Sequence, residues 1–270
     1  MRKRRSASLL CFNRHDDRLR GQDVTGELLE WLRALPVAEA AAWCTASNVL
    51  IFLAALGGGL LLAAVFRRSR VSAVPDALSR SELVLSGTCV LGNSLVMFLG
   101  WLLFRTGHVR IVAQASALGV LVDAVLLLLV MDFAMYVAHR IAHHPLLFRH
   151  VHGVHHRYER VRPLTLFALH PLEVLGFGGL WLAVLLLHPF SVWGMVLYLS
   201  ANTLFGVFGH LGVEPVPQRI RDWPLVRAIG TSTFHARHHQ THDSNFGFYT
   251  SVWDRLFGTL DVPDRGSASR

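Results

Sequence analysis

The chain has 270 residues and a formal net charge of +8, and it is 52% hydrophobic and only 16% charged. Its mean hydropathy is +0.40. Soluble domains carry about a quarter charged residues, which argues against an ordinary water-soluble globule, and the wealth of apolar residues argues against a disordered chain. All but one of the 26 basic residues are arginine, Lys3 being the exception, and they punctuate apolar stretches without forming one continuous stripe. That pattern points to membrane flanks and away from nucleic acid.

Residues 1–44 form a polar, mixed N-terminal tail. Arg2, Lys3, Arg4 and Arg5 suit either anionic lipid or solvent, and a short amphipathic helix is expected from Gly26 to Leu35. No cleavable leader is expected, because Cys11 to Arg20 is polar where an apolar core should begin. Thr45 to Phe66 is uncharged and stops at Arg67-Arg68-Ser69-Arg70. As a helix it spans roughly 33 Å, enough to cross a bilayer. A second apolar stretch runs from Leu83 to Phe104 and a third from Ile111 to Val137, the latter containing Asp123 and Asp132. Leu172 to Leu187 and Val192 to Leu211 follow, joined by His188-Pro189-Phe190. The fourth stretch is short for a full crossing, so the last two read as a hairpin that enters and leaves on one side.

The polar stretches from Arg140 to His170 and from Gly212 to Arg270 are rich in arginine and histidine. The positive-inside rule places both in the cytoplasm. Parity then conflicts with the same rule. If the first three stretches all cross, the basic N-terminal tail lies on the opposite side. The expected architecture is an all-α bundle of four or five apolar membrane helices with a cytoplasmic, histidine-rich helical cap that binds metal.

Fourteen of the sixteen histidines fall between His139 and His242. Three groups repeat a spacing: His139 with His143, then His152, His155 and His156, then His235, His238 and His239. Spacings of three and four place side chains on one face of a helix. Together they offer eight imidazoles, which suits two metal ions with three or four nitrogen ligands each. His210, at the end of the fifth apolar stretch, is a ninth candidate. A lone histidine is more often a surface or hydrogen-bonded residue, but two separated copies of His-x-x-His-His are not explained that way. His144, His150, His188 and His242 fall outside the spacing and read as supporting or structural. Cys11, Cys44 and Cys89 are far apart and upstream, so neither a disulfide framework nor a thiolate site is suggested. Imidazole suits zinc, copper, iron and nickel alike.

These residues carry a family resemblance. Asp132-Phe133, Tyr136, His139-Arg140, His143-His144-Pro145, Arg149, His152-Gly153-Val154-His155-His156-Arg157 and His170-Pro171-Leu172-Glu173 occur in an order that resembles the fatty acid hydroxylase superfamily, which includes the sterol desaturases. Asn245-Phe246-Gly247 and Trp253-Asp254-Arg255-Leu256-Phe257-Gly258-Thr259 resemble that family's closing motif. The likeness covers roughly Asp132 to Leu260, and the first 110 residues carry no comparable motif. The apolar stretches give 45–110 as N-terminal membrane helices, and with the likeness 111–262 is expected to be a membrane and metal domain and 263–270 a tail. It also implies a di-iron centre that uses dioxygen on a lipid. By that analogy His139, His143, His152, His155, His156, His235, His238 and His239 are ligands, with His210 at the position of an additional one.

The carboxylates have two readings each. Asp132 lies seven residues before His139, on the same helical face, and either supports a ligand imidazole or pairs with an arginine within the membrane. Glu173 either supports the centre or, the favoured reading, sits at the start of the fourth stretch as a helix-terminal charge. Asn245 and Asp254 are expected to close the domain over the third histidine group. The implied reaction hydroxylates or desaturates an acyl chain, a sterol or a related lipid. Ether-lipid cleavage or carotenoid hydroxylation would use the same centre, and metal transport or storage is the rival from another class. No iron–sulfur cysteine set, haem-attachment motif or dinucleotide loop is visible. A separate ferredoxin- or cytochrome-type donor with its reductase is therefore implied.

Overall fold

The computed structural model describes residues 24–261. The basic start of the N-terminal tail, Cys11 and the C-terminal tail lie outside the described residues.

Helix α1 (Val24–Ala34) is followed at Pro36 by the long helix α2 (Val37–Val65). The amphipathic helix of the tail is therefore present, but α2 begins eight residues before Thr45. Val37 to Cys44 is mixed in sequence yet helical, because Trp43 and Ala40 pack near α1: Trp31 and Trp43 meet edge to face at 5.9 Å and Ala40 is buried. Helices α3 (Arg80–Arg105) and α4 (Ala117–Ala142) start at serine caps, Ser79 accepting from the Glu82 amide at 3.1 Å and Ser116 from the Gly119 amide at 3.1 Å. Helix α4 runs past Val137 and carries the first histidine group on its last turn. The segment Ile111–Val112, expected to open that helix, instead forms a two-residue strand β1, paired in parallel with β2 (Phe190–Ser191).

Between α4 and the fourth apolar stretch lie α5 (Pro145–Leu147), a wide helical turn (Phe148–His152), α6 (Gly153–His156) and a tight turn (Pro163–Phe167). Helix α7 (Pro171–Leu187) and helix α8 (Val192–Gly209) make the hairpin, capped by His170 and Ser191. Then come α9 (Gln218–Arg221), α10 (Ser232–Thr241) and α11 (Val252–Leu256).

Helices α2, α3, α4 and α8 are long and apolar enough to cross a membrane, and α7 is apolar but shorter. Their outward faces carry Leu50, Leu61, Leu91, Leu121 and Leu129, all exposed, which suits lipid and not water. The protein is an integral membrane protein of the all-α class. At one end of the bundle, Trp101 Nε1 donates to the Leu32 carbonyl at 2.7 Å and Arg105 to the Leu35 carbonyl at 3.0 Å. At the other end Ser69 and Glu214 are joined through their backbones at 2.7 Å. There Arg162 also forks onto the fully buried carboxylate of Glu82 at the start of α3. This second end is the cap.

The helices therefore alternate direction, and α1 lies at the end remote from the cap. The early helices α2, α3 and α4 each have the length and apolar composition to cross a membrane. We expect a cysteine placed at Asp76 and one placed at Thr106 to be labelled by impermeant reagent from opposite sides of sealed vesicles. Labelling of both from the same side would refute the alternation.

Candidate metal centre

The cap is built where helix ends meet. His139 is on the last turn of α4 and His143 caps it. The following wide turn re-aims the chain, so that His152, His155 and His156 all point inward and are buried. Gly153 makes this turn possible, since a Cβ there would lie 2.5 Å from the Phe148 carbonyl oxygen. Wide turns of this kind are found mostly at functional sites. Thr231 caps α10, which delivers His235, His238 and His239, and His210 ends α8.

The nine candidate histidines form two groups. His139, His143, His152, His156 and His238 make one; His155, His210, His235 and His239 make the other. Within each group one nitrogen per residue lies within 4.8 Å of all the others. Eight of the nine are buried and His143 is half-buried. His152 Nε2 lies 3.1 Å from His139 Nε2 and 3.0 Å from His156 Nε2. In the second group His210 Nε2 lies 3.3 Å from His155 Nε2 and 3.1 Å from His235 Nε2.

The opposite ring nitrogens face outward acceptors. Nδ1 of His139 donates to the Phe246 carbonyl at 2.8 Å, that of His238 to the Ser244 carbonyl at 2.6 Å and that of His210 to the Gly206 carbonyl at 2.9 Å. His152 Nδ1 donates to Glu173 Oε1 at 2.6 Å. An imidazole that donates outward keeps its Nε2 lone pair for the interior, the arrangement found around metal-binding histidines.

Protons are poor candidates to fill the space between these lone pairs. Burial, followed by repulsion from neighbouring imidazoles, holds His155, His156, His235, His238 and His239 well below the usual histidine range. Burial lowers His210 to about 4 and, with the same repulsion, His143 to about 3. Several ring nitrogens, among them His143 Nε2, His238 Nε2 and both of His239, are buried without a partner among the described residues. Each such atom costs about 1–3 kcal/mol, and a cation in each group would take up one lone pair from each ring turned toward it. The donor set fits metal.

The three supporting residues expected from sequence go to different places. Glu173 lies in the first turn of α7, where its charge is expected, and is also turned to His152, while His170 supplies the side-chain cap. Among the described residues Asp132 makes no hydrogen bond or ion pair with a histidine or an arginine. Its oxygens accept from the Thr250 amide at 3.1 Å, the Thr250 hydroxyl at 2.5 Å and Trp253 Nε1 at 3.0 Å. Asn245 likewise holds backbone: its amide donates to the Phe234 carbonyl at 3.3 Å, and its oxygen accepts from the Asp261 amide at 2.8 Å. The closing segment is completed by Asp254, which accepts from the amides of Phe246 and Gly247 at 2.8 Å each. Gly247 is required there, since its Cβ position lies 2.1 Å from the Thr250 carbonyl oxygen. Sequence reasoning did not identify the carbonyls of Gly206, Ser244 and Phe246 as acceptors, because backbone atoms leave no residue-type signal.

A cavity of about 160 Å³ opens onto both groups, touching His139 and His152 of the first and His155, His210 and His235 of the second. Its other walls include Met135, Leu166, Phe177 and Phe248.

These neutral, buried imidazoles set a pH dependence. The unfolded chain takes up protons below about pH 6.5 while the folded, metal-free protein resists. The stability of metal-free protein should therefore be level above neutrality and fall as pH drops below about 6.5. The thermal midpoint in detergent tests this, and a midpoint independent of pH between 7 and about 5 would contradict it.

Comparison with known proteins agrees with the geometry. Over 136 residues the chain is 33% identical to lathosterol oxidase of Rattus norvegicus, covering 49% of this chain and 42% of the relative. It is 29% identical over 136 residues to a probable Delta(7)-sterol 5(6)-desaturase of Neurospora crassa, covering 49% and 36%. It is also 29% identical over 178 residues to a very-long-chain aldehyde decarbonylase of Oryza sativa subsp. indica, covering 64% and 28%. The matched region thus spans less than half the length of each of these relatives. No solved structure matches the chain. Residues 124–259 match the family model for fatty acid hydroxylase, half of the chain and the whole of the histidine centre, and the protein belongs to that family.

Proposed function

We propose that the protein is a membrane-bound oxygenase that holds two iron ions and hydroxylates or desaturates an unactivated C–H bond of a lipid, with dioxygen and external electrons. The observation that carries this reading is the pair of buried histidine groups opening together on one apolar cavity between membrane helices. Transport sites usually lie near the bilayer midplane, whereas these histidines sit at the helix ends.

Iron bound to the two groups would supply the electron and oxygen chemistry that side chains lack. In hydroxylation one oxygen atom enters the C–H bond and the other leaves as water, consuming two electrons and two protons. In desaturation two hydrogens leave the lipid and both oxygen atoms become water, with the same demand for two electrons and two protons. The electrons come from a separate ferredoxin- or cytochrome-type protein and its reductase. The chain's own residues hold and aim the centre. Glu173 fixes the tautomer of His152, and the Phe246 and Ser244 carbonyls fix those of His139 and His238. Met135, Leu166, Phe177 and Phe248 keep water from the reacting carbon.

The cap faces the cytoplasm. Among the described residues the remote end carries Arg33, Arg105 and Arg110, whereas the other arginines, from Arg67 to Arg255, lie at the cap end. This distribution is the one the positive-inside rule requires.

Protein purified anaerobically should contain about two irons per chain. His239→Ala should reduce this to about one and abolish dioxygen-dependent formation of products one oxygen heavier or two hydrogens lighter. Full iron content with retained turnover would overturn the assignment. Glu173→Gln should weaken metal affinity about 10–100-fold, measured by competition with a chelator, and an unchanged affinity would remove Glu173 from its supporting role.

A further inference from the structure

A second, larger cavity of about 300 Å³ lies between α2, α3, α7 and α8. It meets the metal-side cavity at Leu166, Leu169, Asn202 and Phe248, which line both. No Asp, Glu, Lys or Arg lines it. Three asparagines do: Asn48 from α2, Asn93 from α3 and Asn202 from α8, each well inside its helix. Amides at this depth in a membrane are costly and usually functional.

Their own bonds leave specific atoms unused. Asn48 Nδ2 donates to the Cys44 carbonyl at 2.9 Å and to Met97 Sδ at 3.4 Å. Asn93 Nδ2 reaches Cys89 Sγ at 3.5 Å, a weak bond. Asn202 Oδ1 accepts from the Tyr249 hydroxyl at 2.7 Å. The Oδ1 atoms of Asn48 and Asn93 and the Nδ2 atom of Asn202 have no partner among the described residues. The cavity therefore presents two acceptors and one donor in apolar walls.

We propose that this cavity is a subsite for an uncharged hydroxyl or amide group of the lipid substrate, held by Asn48, Asn93 and Asn202 while the carbon to be oxidised lies in the metal-side cavity. The proposal rests on the lipid-oxygenase reading above. A hydroxyl donates and accepts at once, which matches the unused atoms. A carboxylate or phosphate has no cation to meet and would face two amide oxygens. A plain hydrocarbon would leave the Oδ1 atoms of Asn48 and Asn93 and the Nδ2 atom of Asn202 unpaired.

The test uses the full iron-loaded chain in detergent, with octadecanol, octadecanoate and octadecane as probes and the thermal midpoint as readout. Octadecanol is expected to stabilise at roughly tenfold lower concentration than either of the others. Asn93→Leu should erase that preference with iron content unchanged. If Asn93→Leu does not fold, Asn48→Leu serves in the same comparison. Equal stabilisation by all three probes in the unmodified protein, or an alcohol preference that survives substitution, would overturn the subsite. A protein that prefers octadecanol but yields no dioxygen-dependent lipid product would overturn the oxygenase reading and leave the subsite standing. A protein that forms product without preferring octadecanol would do the reverse.

Discussion

The structure turns on the cost of burying nine imidazoles with their lone pairs converging. Each group gathers four or five imidazoles in the interior of the cap, with one nitrogen of each turned toward the others. Only a cation repays that arrangement. It is tolerable because the outward nitrogens are held by backbone carbonyls and by Glu173. The closing segment follows from the same constraint. Asp254 and Asp132 spend buried carboxylates on the backbone of residues 246–250 so that the Phe246 carbonyl reaches His139. The interior of the cap is rich in polar groups, and the hydrogen bonds of His139 and His238 depend on this segment being in place.

The helices repeat that dependence at larger scale. Helix α4 delivers His139, α7 delivers Glu173, and α8 delivers His210. All three do so from ends that meet on one side of the bundle. The buried Glu82–Arg162 pair ties α3 to the loop after the second histidine group. Such a pair contributes little net stability, but breaking it costs about 3–5 kcal/mol, so it fixes register more than it strengthens the fold.

Much of this was legible in the sequence, for physical reasons that differ by element. Apolar length identified the membrane helices, helical spacing picked out eight of the converging histidines, and the place of His210 at the end of the fifth apolar stretch marked the ninth. Boundaries were less legible where packing overrode composition, as at Val37 to Cys44. Side-chain destinations were the least legible. Asp132 shares a helical face with His139, yet its partners lie more than a hundred residues away on Thr250 and Trp253. Glu173 is the first-turn charge of α7 that its position suggests, but its carboxylate also reaches His152, 21 residues earlier.

The division of the nine histidines was hidden because it cuts across the repeated motif. In His152-x-x-His155-His156, the first and last residues join one group and the middle one joins the other. In His235-x-x-His238-His239 the same split occurs with the groups exchanged. Residues four apart on a helix lie on one face and adjacent residues about 100° apart, so each motif reaches both groups. The two motifs thus form an approximate exchange pair, and the asymmetry comes from what is added. His139 and His143 join the first group, whereas His210 alone joins the second. An ion in the second group would have four histidines available to hold it, against five in the first. The four-histidine group also turns three of its members, His155, His210 and His235, to the cavity, against two from the other group. Both groups thus border the cavity, the four-histidine group with more of its members, while the half-buried His143 of the other group is not among the residues lining it.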